Sequence, residues 1–214
     1  MGPREVDTSP TGPYHHGDLR TALIQAARRV IAVGGVAQLS IRDAARAVGV
    51  SPGAPYHHFR SKADLVDAVA TSGWMELLTM VAAARRAAAT PSDGLLDAGA
   101  AYVRYAQSHP QLYRVMIAQM ESAGRSSATA ATPQGAVLET LKAAGMFETE
   151  SDRLPLIALW CVAHGFMSVA SYPAVRQFAR MGQGPEDLAR RLFKIILAGL
   201  AESGSTPADR QGAP

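Results

Sequence analysis

The side chains best suited to binding chemistry in the first third of this chain lie close together. Tyr56, His57 and His58 offer three hydrogen-bonding rings in succession, and Lys62 adds a positive charge shortly after them. Polar rings and ammonium groups are what proteins use to contact base edges and phosphates. The cluster therefore indicates nucleic-acid binding, provided that the local fold presents these side chains on one surface.

A second pair of residues, Cys161 and His164, would suit covalent or metal chemistry. The two lie three positions apart, as a nucleophile and its base can on a helix, but they fall in an apolar helical segment with no loop that could form an oxyanion hole. A lone cysteine buried in such a segment is usually inert. The pair also supplies too few ligands for a typical zinc site, as does the pair His57 and His58. With neither a phosphate-binding loop nor a dinucleotide fingerprint in the chain, we expect no enzyme activity, metal or cofactor.

The segment before Tyr56 has the pattern of a short helix that ends in a tight turn. Ser40 is a suitable N-cap, and Asp43 three positions later completes a signal like a capping box. Apolar residues at helical spacing follow, and Gly49 can adopt the positive φ that a tight turn requires.

A second short helix is expected next. Ser51 is its cap, and Pro52 occupies the first position, where a missing N–H costs nothing. The helix should run for about two turns, to about residue 59, with an irregular or 3₁₀-like start at Pro55. Together the two helices form a helix-turn-helix over about residues 40–59, which places its second helix in the major groove of DNA. We expect contacts with double-stranded operator DNA from Arg42, Ser51, Pro52, Gly53, Ala54, Tyr56, His57, His58 and Lys62.

Charge is distributed unevenly along the chain. Residues 14–64 carry seven basic and three acidic side chains, a net +4, whereas the whole chain carries +3. A basic module joined to a neutral remainder is expected of a protein that binds phosphates at one end. An ordinary turn between two helices with a solvated charged face is the alternative, although it does not explain the asymmetry.

Three stretches between residues 17 and 71 carry a family resemblance: Leu-Ser-Ile-Arg-Asp-Ala-Ala, Val-Gly-Val-Ser-Pro-Gly-Ala-Pro-Tyr-His-His-Phe and Ser-Lys-Ala-Asp-Leu-Val. They resemble the N-terminal domain of the tetracycline-repressor (TetR) family. The resemblance implies an all-helical, ligand-responsive transcriptional regulator that acts as a homodimer. It also implies that Tyr56 and His57 touch DNA, that Lys62 binds a phosphate and that Phe59 anchors the recognition helix.

The composition divides the chain into four parts. Residues 1–13 and 204–214 are rich in small residues and proline, and both are expected to be disordered. Residues 14–71 should form a three-helix DNA-binding domain, and residues 72–203 a larger helical domain for ligand binding and dimerisation. No alternating strand pattern competes with the helical one, so the expected fold class is all-α.

Methionine and aromatic residues recur on the helices of the C-terminal domain. Residues 109–116 and 160–165 resemble the domain called WHG in one TetR subgroup. Such side chains form adaptable apolar pockets, and we expect one for an apolar or amphipathic small molecule with His164 as polar anchor. An ordinary core is the alternative. The pocket residues are predicted to be Trp74, Tyr102, Met116, Met120, Trp160, His164, Phe166 and Met167.

The last two predicted helices are apolar around much of their circumference. A helix of this kind is buried on more than one side, either in a central core or against a second copy of the chain. We predict a homodimer built on Ala158, Ala163, Leu188, Leu192, Ile195 and Ile196.

Membrane insertion and disulfide bonding are not expected. No apolar run approaches the roughly 20 residues that span a bilayer, and one cysteine allows no internal disulfide, which fits a reducing cytoplasm. The resulting prediction is a cytoplasmic regulator, by default a repressor, that a small effector releases from its operator. An activator of the same fold and a helical adaptor that does not respond to an effector remain the alternatives.

Overall fold

The protein is described by a computed structural model, which covers residues 16–123, 150–169, 177 and 184–204. The chain divides into two compact units, residues 1–66 and 67–214, which are described separately below. The sequence placed the domain boundary at residues 71 and 72, slightly further along the same helix.

The first unit consists of short helices joined by tight turns. The helix α1 ends where Gly35 adopts a φ of 72°, which favours glycine, and where the Gly35 amide donates to the carbonyl of Ile31 at 2.8 Å. The two successive glycines, Gly34 and Gly35, predict this helix end from the sequence. The elements are α1 (His16–Gly34), a 3₁₀ turn (Val36–Gln38), α2 (Ile41–Ala47), a second 3₁₀ turn (Ala54–His57) and the start of α3 (Lys62–Ala87).

The turn after α2 is built as the sequence predicts, around Gly49. This glycine has a φ of 74°, and its amide donates to the carbonyl of Arg46 at 3.2 Å. The next amide, of Val50, reaches back to the carbonyl of Ala45 at 3.1 Å. This pair of bonds is a Schellman motif, which closes a helix and reverses the chain.

The core of the first unit collects the apolar faces of its helices. Burying these side chains stabilises the unit by roughly 1.5–3 kcal/mol for each large one. The buried residues are Leu23, Ile24, Ala26, Ala27, Ile31, Leu39, Ile41, Ala44, Ala45, Pro55, Phe59 and Leu65.

The second unit is built from helices joined by short bends in the part of the chain that the structure describes. It contains the remainder of α3 together with α4 (Pro91–Ser108), α5 (Pro110–Ala123), α6 (Glu150–Val169) and α7 (Pro185–Gly204). Proline opens α4, and Thr90 caps that helix by accepting a bond from the amide of Asp93 at 3.1 Å. The described residues contain no strand, and the predicted all-α class is confirmed.

α4 is the central helix of the second unit and packs against α5, α6 and α7. At Gly99 the backbone of α4 passes so close to the ring of Phe193 on α7 that no Cβ would fit between them. Phe193 is completely buried as a result. Two ion pairs flank the same crossing, Asp97 with Arg190 and Arg104 with Glu186. All four of these side chains are partly exposed, so the pairs add little to stability.

The helix α3 is more apolar than the sequence analysis allowed. By length and composition it could cross a membrane, which corrects the statement that no segment approaches that limit. However, 56% of its apolar window is buried within the protein. Leu65, Val69 and Leu77 are fully buried, as expected of a core helix.

Several predicted segments lie outside the described residues. They include the arm at 1–13. The sequence also predicts a loop over residues 122–133 and a short helix near residues 137–141; the first two positions of the loop belong to α5, and the rest lies outside the described residues. The C-terminal tail after residue 204 is likewise outside. The predicted long helix over residues 151–172 is observed as α6, which ends at Val169.

The crossing at Gly99 yields a prediction about stability. Gly99→Ala should lower the free energy of unfolding by about 1–3 kcal/mol, because the new methyl group displaces the Phe193 ring. Gly199→Ala, at a helical glycine with open space around it, should be neutral or stabilising by up to about 1 kcal/mol. Urea unfolding measures both variants. The loss should shrink in a Phe193→Leu background, and an undiminished loss would mean that the ring is not the cause.

Candidate nucleic-acid interface

The second helix of the predicted motif differs from its expected form. It is a 3₁₀ turn over Ala54–His57, not a two-turn α-helix, and Gly53 rather than Ser51 lies at its N-cap position. The backbone bonds explain this: Tyr56 donates to the carbonyl of Gly53 and His58 to that of Pro55, each spanning three residues. Pro55 lacks the amide that an α-helix beginning after Ser51 would use for its first backbone hydrogen bond. The predicted irregular start therefore extends through the whole element.

Ser40 lies at the N-cap position of α2, as predicted, but its side chain makes no capping bond. Asp43 pairs with Arg46 at 2.9 Å instead of completing a capping box. The capping-box prediction was wrong, because a carboxylate one turn before an arginine finds an i,i+3 partner on the helix surface. Both side chains of this pair are exposed.

The nine predicted DNA-contacting residues all lie at least partly open to solvent. Ala54 and His58 are half-buried and the others are exposed. Tyr56 is 51% exposed, although an aromatic ring of this size is more often covered. The exposed and half-buried positions are Arg42, Ser51, Pro52, Gly53, Ala54, Tyr56, His57, His58 and Lys62.

A buried aromatic ring fixes the 3₁₀ turn from beneath. Phe59 is 2% exposed, and its ring lies 6.4 Å from that of His58 with the two planes tilted by 54°. The guanidinium of Arg20 lies 5.4 Å above the Phe59 ring centroid. Pro55 is also fully buried. Two anchors on the inner side leave Tyr56 and His57 on the outer side. Sequence reasoning did not identify the contact of Arg20 with Phe59, since the two residues are remote in the chain.

The start of α3 is capped by a residue that the sequence analysis overlooked. Ser61 accepts a bond from the amide of Asp64 at 3.1 Å and donates its hydroxyl to the Asp64 carboxylate at 3.0 Å. Arg60 donates to the same carboxylate from its backbone and its side chain. Arg60 and Ser61 hold the pKa of the Asp64 carboxyl below its usual range. The Ser-x-x-Asp signal was visible at positions 61 to 64.

This capping places Lys62 at the first position of a helix. Its side chain is exposed there. The N-terminus of a helix carries free amides and a partial positive charge, and the ammonium group adds a full one. The arrangement is suited to binding a phosphate group.

The second unit contains a chain of hydrogen bonds between aromatic side chains from three helices. The hydroxyls of Tyr102 on α4 and Tyr113 on α5 lie 3.0 Å apart, and the Tyr113 hydroxyl lies 3.0 Å from Nδ1 of His164 on α6. His164 stacks on Trp160 with ring centroids 5.4 Å apart and planes 6° apart. Burial raises the pKa of both tyrosines.

The predicted pocket residues thus separate into two groups. Tyr102 and His164 belong to the hydrogen-bonded chain with Trp160 beside it, and Tyr113 joins them although the sequence analysis did not select it. Its proximity to His164 links residues far apart in sequence, so spacing could not reveal it. Of the remaining candidates Trp74, Met116 and Phe166 are buried, Met167 is half-buried and Met120 is 38% exposed.

A buried amide connects α5 to α3. Gln119 is 7% exposed, and its Nε2 donates to the backbone carbonyl of Asp67 at 3.0 Å and to the hydroxyl of Thr71 at 3.4 Å. Thr71 itself donates to the Asp67 carbonyl, and Ser72 to that of Val69. Nearby, a Cβ on Gly73 would lie only 2.7 Å from Sδ of Met116, so α3 and α5 touch closely here. These contacts were not anticipated.

The residues predicted for dimerisation differ in their exposure to solvent. Ile195 is 67% exposed, and Ala158, Leu188, Leu192 and Ile196 are half-buried. Ala163 is buried within the single chain and therefore is not available to a partner. Cys161 is exposed, which corrects the expectation of a buried thiol. Among the described residues no three metal-ligating side chains converge.

Two segments of the chain match models of known protein families. Residues 23–69 match the model of bacterial regulatory proteins of the tetR family, and residues 95–200 match the tetracyclin repressor-like C-terminal domain. The chain belongs to the TetR family of transcriptional regulators. The matched N-terminal segment contains the predicted helix-turn-helix and Lys62. A search of curated proteins found no match.

Solved structures share the fold of this TetR-family regulator. A protein of unknown function from Rhodococcus sp. RHA1 has a TM-score of 0.67 and 26% identity, over 89% of this chain and 100% of its own. The regulator SCO7222, a TetR from Streptomyces coelicolor, has a TM-score of 0.59 and 18% identity, over 85% and 96%. AlkX from Dietzia sp., a TetR family repressor implicated in biodegradation of n-alkanes, has a TM-score of 0.56 and 18% identity, over 90% and 98%.

The position of Lys62 gives a prediction about DNA binding. Lys62→Ala should weaken binding to all DNA sequences alike and reduce the slope of log affinity against log salt by about one, because one phosphate contact is lost. Arg86→Ala removes an exposed charge near the other end of the same helix and should change neither quantity. Fluorescence anisotropy at several salt concentrations measures both. An unchanged affinity in Lys62→Ala would contradict the assignment.

The buried tyrosines give a prediction about pH. Because the folded pKa of Tyr102 lies above its ordinary value of about 10, unfolding becomes easier as pH rises past that value. Wild-type stability should fall more steeply above about pH 10 than that of Tyr102→Phe, by about 1.4 kcal/mol per pH unit. The exposed Tyr56 serves as control, and Tyr56→Phe should keep the wild-type slope. Urea unfolding across this range measures the slopes, and equal slopes for wild type and Tyr102→Phe would refute the prediction.

Proposed function

We propose that this TetR-family regulator is a dimeric repressor that binds a palindromic operator and leaves it when a small apolar or amphipathic molecule binds the C-terminal unit. The observation that carries the DNA-binding part is the capped start of α3. There Lys62 is exposed at a helix N-terminus, shortly after the exposed ring of Tyr56. Backbone contacts of this kind orient a protein on DNA, and neighbouring polar side chains can then read bases.

Effector control is supported by the side chains of α5. Tyr113 joins the hydrogen-bonded aromatic chain, Met116 contacts α3 at Gly73, and Gln119 holds the carbonyl of Asp67. An effector that moves Tyr113 would therefore act on α3, the helix that begins with Lys62. Reciprocity requires that operator DNA weaken effector binding by the same factor.

Dimerisation is supported by uncovered apolar side chains on α6 and α7. Val169 and Ile195 are 38% and 67% exposed in the single chain. Covering them with a second copy would remove apolar surface from water. A dimer presents two recognition elements about 34–36 Å apart, or a multiple of this, and so reads a palindrome.

The first test is DNA binding to fragments from the protein's own genomic neighbourhood, in the presence of competitor DNA. We expect a discrete palindromic footprint. Salt-dependent binding without a footprint would leave a protein that associates with DNA non-specifically, and absence of binding would favour the adaptor function. A promoter–reporter fusion then distinguishes repression from activation, since expression should rise when the gene for a repressor is deleted.

A variant of the last helix tests the dimer. Ile195→Glu should convert the dimer to a monomer in light scattering and abolish the palindromic footprint, because a carboxylate would be buried without a partner. Val33→Glu makes the same chemical change at a side chain on α1 that is 91% exposed, and it should leave the oligomeric state unaltered. A wild-type protein that is monomeric at micromolar concentration would rule out this part of the proposal. Function in the cytoplasm, as expected for access to DNA, belongs to the same proposal.

A further inference from the structure

The donor and the acceptor of each hydrogen bond in the series Tyr102–Tyr113–His164 can be deduced from the chemistry of the side chains. A tyrosine hydroxyl has one proton to donate, and a buried donor that makes no bond is costly. Tyr102 lies at the buried end, 8% exposed, and the Tyr113 oxygen is its acceptor among the described residues. The neighbouring Trp160 cannot take the proton, because an indole N–H only donates. Tyr102 therefore donates to Tyr113.

The proton of Tyr113 must then go to the histidine. Its hydroxyl oxygen already accepts from Tyr102, and its other described partner is Nδ1 of His164. The hydrogen bond between the tyrosines raises the pKa of Tyr102 and opposes the rise in the pKa of Tyr113, as a donating Tyr102 requires. Nδ1 is the acceptor at the end of the chain. A neutral imidazole with this acceptor carries its proton on Nε2.

The Nε2–H group faces no partner in the described part of the chain. His164 is half-buried, and no described group makes a hydrogen bond to Nε2. No described side-chain nitrogen or oxygen is both buried and unsatisfied, so Nε2 is open to solvent or a ligand. The indole of Trp160, 39% exposed and stacked on the imidazole, provides apolar surface beside it. The ring is therefore held in one tautomer and one orientation, with a donor available.

We propose that Nε2–H of His164 is the polar anchor of the effector and that the effector is a neutral, largely apolar molecule bearing a carbonyl oxygen, such as a ketone, ester or lactone. This rests on the proposed effector site. A donor selects an acceptor, which excludes amines whose only polar group is a cation. A carboxylate would lose its hydration beside four uncharged rings without gaining a counter-charge, so an uncharged acceptor is favoured. The apolar body packs against Trp160.

The tautomer is tested on the free protein by NMR of the histidine ring nitrogens. His164 should have a protonated Nε2 and an unprotonated Nδ1. Tyr113→Phe removes the donor to Nδ1 and should allow both tautomers to populate. Tyr102→Phe is the matched control, because Tyr113 can still donate to His164 and the tautomer should persist. A protonated Nδ1 in the wild-type protein would overturn the deduced direction.

The ligand class is tested with three probes that share one alkyl chain: methyl decanoate, decanoate and decylammonium, each below its micellar concentration. Methyl decanoate should bind most tightly in calorimetry. His164→Phe, which keeps an aromatic ring stacked on Trp160, should weaken it about three- to ten-fold, the effect of one hydrogen bond. His109→Phe, at the other histidine of this unit, should not change it. Equal or tighter binding of decylammonium, or an ester affinity indifferent to His164→Phe, would overturn the proposal.

The outcome is separable from that of the regulator function. If methyl decanoate fails to bind while the palindromic footprint is intact, the effector class is wrong and the DNA-binding function stands. If the footprint is absent while the ester binds through His164, the DNA-binding function is wrong and the effector class stands.

Discussion

One helix, α3, must satisfy two requirements at once. The first turn of α3 has to present Lys62 and free amides to solvent, whereas its later turns have to bury Val69, Trp74 and Leu77 in the second unit. A continuous helix can do both because its polar start is stabilised locally by Ser61 and its apolar remainder by packing. The exposed first turn and the buried later turns cannot change conformation independently, since one continuous ladder of backbone hydrogen bonds joins them.

The 3₁₀ turn at Ala54–His57 has little helical stability of its own, because its backbone hydrogen bonds are few and short-range and Pro55 contributes no amide. Its shape is therefore set from the inside by Pro55 and Phe59, which are buried, and by Arg20 above the Phe59 ring. A rigid platform of this kind presents Tyr56 and His57 without a long helix behind them.

Sequence patterns predicted the elements well and the contacts between distant residues poorly. Pro91 and Pro110 each predict a helix start, and α4 and α5 begin there; Gly49 predicts the turn after α2. These residues are informative because each acts on its own backbone. The 3₁₀ form of the recognition element was predicted only for its start. The partners of Tyr113 and Gln119 lie tens of residues away, on other helices, and no local pattern encodes such pairs. For Ser40 and Asp43 a local pattern was present, but a competing partner, Arg46, was one turn away.

The hydroxyl bonds along α3 have a mechanical consequence. Between Asp67 and Gly73 the carbonyls of Asp67 and Val69 accept from side chains as well as serving the helix, and a glycine follows at once. Shared carbonyls and a residue without Cβ lower the stiffness of a helix, so amide hydrogen exchange should be fastest here within the otherwise protected interior of α3. The side-chain amide of Gln119 on α5 donates to the Asp67 carbonyl within this flexible segment. The contact between α5 and α3 is therefore made where α3 bends most easily.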